Sequence, residues 1–249
     1  MPEQTEKKLK RRPPVVHVNQ ENQPDLDTRA RIKVAARRLF AERGVEAVTV
    51  RDIVAEAGSG NGGSLNYYFQ SKDRLILELV TDIMRESSDF VLDGISSFER
   101  NGGPKSVREV VTVIVNSYKP VEDPSPTAVR FLSSLLFTRR RMVREYIDRI
   151  HTSVYSRMLF YVEQLRPDIP VAVLKQRWIY LIWYLVSVQS AYEGYVAANR
   201  RNAIWTDVDP IQNMIDTATA ILEAPSSDAS VARTNTGKVR QAGSRRAKS

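Results

Sequence analysis

Two histidines, His17 and His151, are the only imidazoles in 249 residues, and there is no cysteine. His17 lies in a charged, proline-punctuated arm and His151 in "DRIHTSV". Thiolate nucleophiles, disulfides and thiolate metal sites are therefore excluded. No Asp/Glu/His cluster has metal-ligand spacing, and no glycine loop follows a strand pattern. The sequence thus predicts no enzyme, no metal and no cofactor. Residues able to do other chemistry gather in "AGSGNGGSLNYYF", residues 57–69. Four glycines fall within six positions, and Ser64, Asn66, Tyr67 and Tyr68 follow at once. A carboxamide can pair with adenine N6 and N7, while tyrosine hydroxyls donate to phosphate oxygens. Glycines let a backbone turn tightly and approach a surface closely.

These residues need helices to hold them, because each glycine costs a helix interior about 1 kcal/mol relative to alanine. On the N-terminal side, Ile32, Ala35, Ala36, Leu39 and Phe40 recur at the spacing of a buried stripe. They predict a helix over 28–43, with Asp27 as N-cap and Gly44 just past its end. A short helix follows over 50–57, with Thr49 as N-cap and Asp52 three residues on, arranged like a capping box. Past the glycines, Ser71 caps a longer helix carrying Leu75, Ile76, Leu79, Val80, Ile83 and Met84. This order predicts a helix-turn-helix. Asn61 would then cap the recognition helix, and Gly62 and Gly63 would form its first turn and turn amides toward a phosphate. Ser64 and Asn66 would reach bases. Phe40, Ile53 and Phe69 read as core.

The text from Arg31 to Leu75, with "AARRLFAERGVEAVTVRDIVAEAG" and then "NYYFQSKDRL", resembles the DNA-binding domain of the TetR (tetracycline-repressor-like) family of transcriptional regulators. The match covers about 45 residues in order. Before the tyrosines this chain has one residue more than the commonest family text, placed at Ser59 or Gly60 in the turn. Gly62 stands where a longer polar side chain is frequent, and Asn66 where a tyrosine is frequent. The resemblance implies phosphate contacts from Thr49, Tyr67 and Lys72, with Arg51 also near DNA. Bland readings stand beside these: Thr49 as a helix cap only, Lys72 as a solvated lysine, Tyr68 as a packing residue.

Beyond Asn101-Gly102-Gly103-Pro104 the pattern predicts helices over about 106–119, 127–138, 141–165, 171–200 and 209–223, separated by proline or small polar breaks. The fold class is all-α, a three-helix DNA-binding unit followed by a larger helical bundle for ligand binding and dimerisation. The expected domains are 25–75 and 76–224, between a basic arm at 1–24 and a basic tail at 225–249, both disordered. By resemblance, two helices would pair with their copies in a homodimer through Trp178, Leu181, Leu185, Val188 and Tyr192, and through Met214, Ile215 and Ala218. A two-fold dimer would set two recognition helices about 34–36 Å apart on a palindromic operator. The bundle's aromatics, Phe90, Tyr118, Phe131, Phe137, Tyr155, Trp183 and Tyr184, would suit a small, largely apolar effector, or serve only as core. Release of DNA on effector binding is what the resemblance implies.

The formal charge of +8 concentrates at the ends. Residues 1–24 carry five basic and three acidic residues, and 225–249 six and one, which leaves a net of only +1 between them. A non-specific nucleic-acid binder driven by these tails is therefore the rival reading, and a helical enzyme a more distant one. Arg139-Arg140-Arg141 with Arg144 reads as an anion or membrane patch, or as a solvated or salt-bridged helix face. The most apolar run, 178–188, is too short to span a bilayer, and the start lacks a signal peptide's apolar core. Cytoplasmic location and no membrane partner follow as expectations.

Overall fold

The computed structural model describes residues 24–59, 63–118, 126–139, 141, 152–199 and 202–227. Ten helices run through them, and no strand occurs among the described residues. They are α1 (Pro24–Arg43), α2 (Val50–Glu56), α3 (Ser64–Phe69), α4 (Lys72–Arg100) and α5 (Val107–Asn116). Then come α6 (Ala128–Thr138), α7 (Thr152–Leu165), α8 (Val171–Ala198), α9 (Ala203–Thr206) and α10 (Pro210–Glu223). The tails, His17 and His151, and positions Gly60, Asn61 and Gly62 lie outside the described residues.

Two boundaries differ from the sequence expectation. The first helix begins at Pro24, with Asp27 inside it rather than capping it; proline is tolerated in a first turn, where its missing N–H has no partner to lose. The break expected at 201–207 holds the short α9, whose start Asn202 caps by accepting from Ile204 N.

Two cores divide the interior. One joins α1, α2, α3 and the first half of α4, and continues past residue 75 to Met84, taking in Phe131, Leu132 and Leu135 of α6. The other joins the second half of α4 with α5, α7, α8 and α10. Gly94 lets α4 press close to α5: a Cβ there would meet Val113 Cγ1 at 2.6 Å. Among the described residues α8 alone is long and apolar enough to cross a membrane. It instead packs against α6, α7 and α10 and buries Gln189 and Glu193 on its inward side.

Candidate DNA-binding face and effector cavity

Local chemistry builds the α2–α3 unit. Thr49 Oγ1 accepts from Asp52 N at 3.2 Å, while Asp52 Oδ2 accepts from Thr49 N at 2.8 Å and from the Thr49 hydroxyl at 2.7 Å. These bonds form the expected capping box. The Thr49 hydroxyl, with its backbone N–H, holds the exposed Asp52 carboxyl below its usual range. The Thr49 proton is thereby given to Asp52, so donation to a phosphate requires surrendering that bond. Helix α2 ends at Gly58, φ +63°, with Gly58 N donating to Ala55 O and Ser59 N to Val54 O. That paired closure needs a left-handed residue, which accounts for this glycine.

Helix α3 starts later than expected. Gly63, at φ −78°, is its N-cap rather than part of its first turn, and no side chain caps it. Leu65 and Phe69 are buried and Tyr68 packs half-buried on the core, whereas Asn66 and Tyr67 face outward. Tyr67 is 76% exposed and meets Tyr68 edge-on at 4.9 Å between ring centres. Ser64 is half-buried, its Oγ 2.7 Å from that of Ser59. It braces the turn instead of standing out beside Asn66.

The helix stops in a strained turn. Gln70 has φ +65° and ψ −39°, and Ser71 N donates to Phe69 O at 2.7 Å. This is a γ-turn of the rare positive-φ kind. It sets α3 tightly against α4, whose N-cap Ser71 accepts from Arg74 N. One residue on, Lys72 Nζ donates to the carbonyls of Val45 and Val48, both at 2.5 Å, and lies 5.7 Å from the Phe40 ring centre. Lys72 is therefore a staple between α4 and the α1–α2 loop, keeping one of its three protons for other partners. Nothing in the sequence distinguished this from a solvated lysine, because the two carbonyls are distant in the chain. Arg51 is exposed at the start of α2.

Helix α6 belongs to the first core and also packs against α8. Phe131 stacks on Phe40 of α1 with ring centres 5.8 Å apart, so it is an inter-helix core residue and not part of the cavity wall. Past the end of α6, Arg139 binds Glu46 at 2.6 Å and Asp73 at 3.1 Å, fastening it to the α1–α2 loop and the start of α4. Of the arginine run, this residue is a salt-bridge partner within the chain. At its other end, Glu193 of α8 accepts from Val129 N at 3.1 Å and Arg130 N at 2.7 Å. A buried carboxylate from another helix thus caps α6 where Thr127 does not. Burial raises the Glu193 pKa above its usual range, against the opposing pull of those amides, Arg130 and Arg37.

The opposite side of α6, through Val129, Leu132 and Leu136, lines a cavity of about 310 Å³. Met84, Ile114, Tyr118, Tyr155 and, from α8, Trp178, Ile182, Trp183, Leu185, Val186 and Gln189 complete the wall. Of the aromatics expected to line a cavity, Tyr118, Tyr155 and Trp183 do so; Tyr184 does not, Phe90 is 41% exposed on α4, and the Phe137 side chain lies outside the described residues. Trp178, expected at a dimer interface, is a cavity residue. Leu181, Leu185, Met214, Ile215 and Ala218 are likewise buried within the protomer, while Val188 and Tyr192 are half-buried. These residues lie on the inward side of α8 and α10 in the protomer, and the outward face of α8 carries Ile179 and Tyr180, with Trp183 at the boundary between that face and the cavity.

Residues 32–79 match the bacterial regulatory proteins of the tetR family. No curated protein matches the sequence. The fold is similar to a TetR family transcription regulator from Marinobacter aquaeolei VT8, with 20% identity over 79% of this chain and 96% of that one at a TM-score of 0.52. It is also similar to Salmonella enterica GusR, with 21% identity over 83% and 100% of the chains and a TM-score of 0.50. With a capped α2, an outward α3 and an all-helical body behind them, the chain is similar to the tetR family of bacterial regulatory proteins over residues 32–79, its helix-turn-helix unit, and to TetR-type regulators in its all-helical fold.

Proposed function

We propose that this regulator is a cytoplasmic repressor that binds a palindromic operator as a homodimer and releases it when a small, largely apolar effector enters the cavity. Residues 25–75 hold the DNA and 76–224 hold the effector and the partner subunit, with the basic ends adding unspecific affinity. In this reading Asn66 reads a base edge, while Tyr67, Thr49, Arg51, Lys72 and the Gly63 amide position the phosphates. The second subunit covers the outward apolar face of α8.

One observation supports the reading above the rest: α6 touches both sites. Its Leu132 and Leu136 border the cavity, while its Phe131 stacks on Phe40 and Arg139, just past its end, binds Glu46 and Asp73. An effector that displaces α6 re-aims the recognition helices of the dimer. Moving the population from 1:99 to 99:1 needs about 5.5 kcal/mol of differential affinity for the two states.

Selection of bound sites from a random duplex pool, at near-physiological salt, tests this with the full chain and with residues 1–24 and 225–249 deleted. Both proteins should enrich the same palindrome. Enrichment by neither, with retention of DNA only when the tails are present, refutes sequence-specific regulation.

A further inference from the structure

Arg139 reaches the helix-turn-helix unit from outside it. It stands just past the end of α6, and its guanidinium holds Glu46 in a two-pronged pair, Nε to Oε1 at 2.6 Å and Nη2 to Oε2 at 3.2 Å. The remaining arm, Nη1, donates to Asp73 Oδ1 at 3.1 Å. One cation carried by α6 thus serves two carboxylates of the DNA-binding unit.

Both carboxylates flank residues that the function above assigns to phosphate. Lys72 Nζ grips the carbonyls of Val45 and Val48, which stand on either side of Glu46 in the chain. Asp73 directly follows Lys72, and Thr49 directly follows Val48. The Glu46 and Asp73 side chains are 57% and 62% exposed, so an approaching duplex would feel their charge. Hydrogen bonds from Arg139, backed by the charges of Arg139 and Lys72, hold the Glu46 carboxyl below its usual range. Seated, Arg139 joins Lys72 in offsetting the two carboxylates. Without it Lys72 faces both alone, and this edge turns net negative. Exposed ion pairs add little to folding stability. The loss would fall instead on binding a polyanion, whose phosphates repel each uncovered carboxylate.

Resting on the DNA-binding reading above, we propose that Arg139 is a charge shutter carried by α6: seated, it masks Glu46 and Asp73 beside the phosphate contacts, and withdrawn, it bares them and weakens the hold on DNA of any sequence. Movement of α6 then changes affinity without changing which bases are read. Full-length Arg139→Gln mimics the withdrawn state. Its binding to the selected palindrome and to a scrambled duplex is measured by fluorescence anisotropy at about 50 and about 200 mM salt, with folding verified by circular dichroism. It should lose about tenfold on both duplexes at the lower salt, and less at the higher, because salt screens exposed charges. Arg139→Lys, which keeps the charge but not the fork, should retain most of the affinity. Adding Glu46→Gln and Asp73→Asn to Arg139→Gln should restore binding to at least the wild-type level, which a loss of helix placement alone would not allow. A triple variant as weak as Arg139→Gln, an Arg139→Lys equally weak, a loss confined to the palindrome, or no loss at all overturns the inference and leaves the regulator reading standing. If the wild-type protein enriches no palindrome and holds neither duplex, the DNA-binding reading falls, and the inference with it.

Discussion

Asn66 and Tyr67 share the outer face of α3, and under the proposed function their chemistry divides the task of holding DNA. A carboxamide can discriminate a base, whereas a phenol would meet only phosphate. Asn66→Ala should relax preference at one operator position by about 1–3 kcal/mol, while Tyr67→Phe should weaken binding to all sequences alike. Binding-site selection with each variant separates the two, and identical profiles would refute the division. Glu193 offers a test of a different kind. Its folded pKa lies above the ordinary 4.5, so the folded state holds the proton more tightly than the unfolded one. Its contribution to stability is therefore greatest below about pH 4.5 and declines as pH rises through the folded value. Glu193→Gln should lose this falling limb, keeping one amide acceptor for the start of α6. Urea denaturation of both proteins between about pH 5 and pH 8 would show the difference in slope.

Helix packing argues for two further outcomes. Gly94→Ala improves helix propensity by about 1 kcal/mol, but its Cβ meets Val113 at 2.6 Å, and overpacking costs about 1–3 kcal/mol. Val113 is β-branched and stiff, so the clash should win and the variant should melt lower than the parent. At the α3–α4 junction the balance reverses. Gln70 holds a positive φ that glycine adopts freely, and such strain costs about 1–3 kcal/mol. Gln70→Gly should raise the denaturation midpoint, unless freedom gained by the unfolded chain cancels the relief. An unchanged or lower midpoint would mean that the unfolded chain gains at least as much as the turn releases. Neither substitution touches the outward face of α3, so operator preference should survive both.

Assembly is decided on the outside of α8. Ile179, Tyr180 and Trp183 stand 56%, 53% and 42% exposed, close together along one helix face. A face of that kind invites a partner, and a second copy of α8 is the partner the dimer reading supplies. Tyr180→Asp should leave each protomer folded, because the side chain does not enter the core, yet shift the protein toward monomer in analytical ultracentrifugation. Palindrome affinity should fall with it, since one recognition helix alone reads only a half-site. A dimer unaffected by that charge would place the interface elsewhere.

Local rules carried much of this protein into its sequence. The capping box at Thr49, the left-handed Gly44 past α1 and the buried stripe of Ile32, Leu39 and Phe40 all depend on residues a few positions apart, so spacing and residue type determined them. The all-helical class and the TetR resemblance followed from the same short-range patterns. What depends on chain-distant partners was not legible. Lys72 became a staple because the carbonyls of Val45 and Val48 arrive from a different loop, and Glu193 became a cap because α6 begins beside it in space. Phe131 was distinguishable from a cavity aromatic only once Phe40 lay against it. The choice between the inward and outward stripes of α8 belonged to tertiary packing as well, because a helix apolar over most of its circumference carries no mark of which side its neighbours will cover.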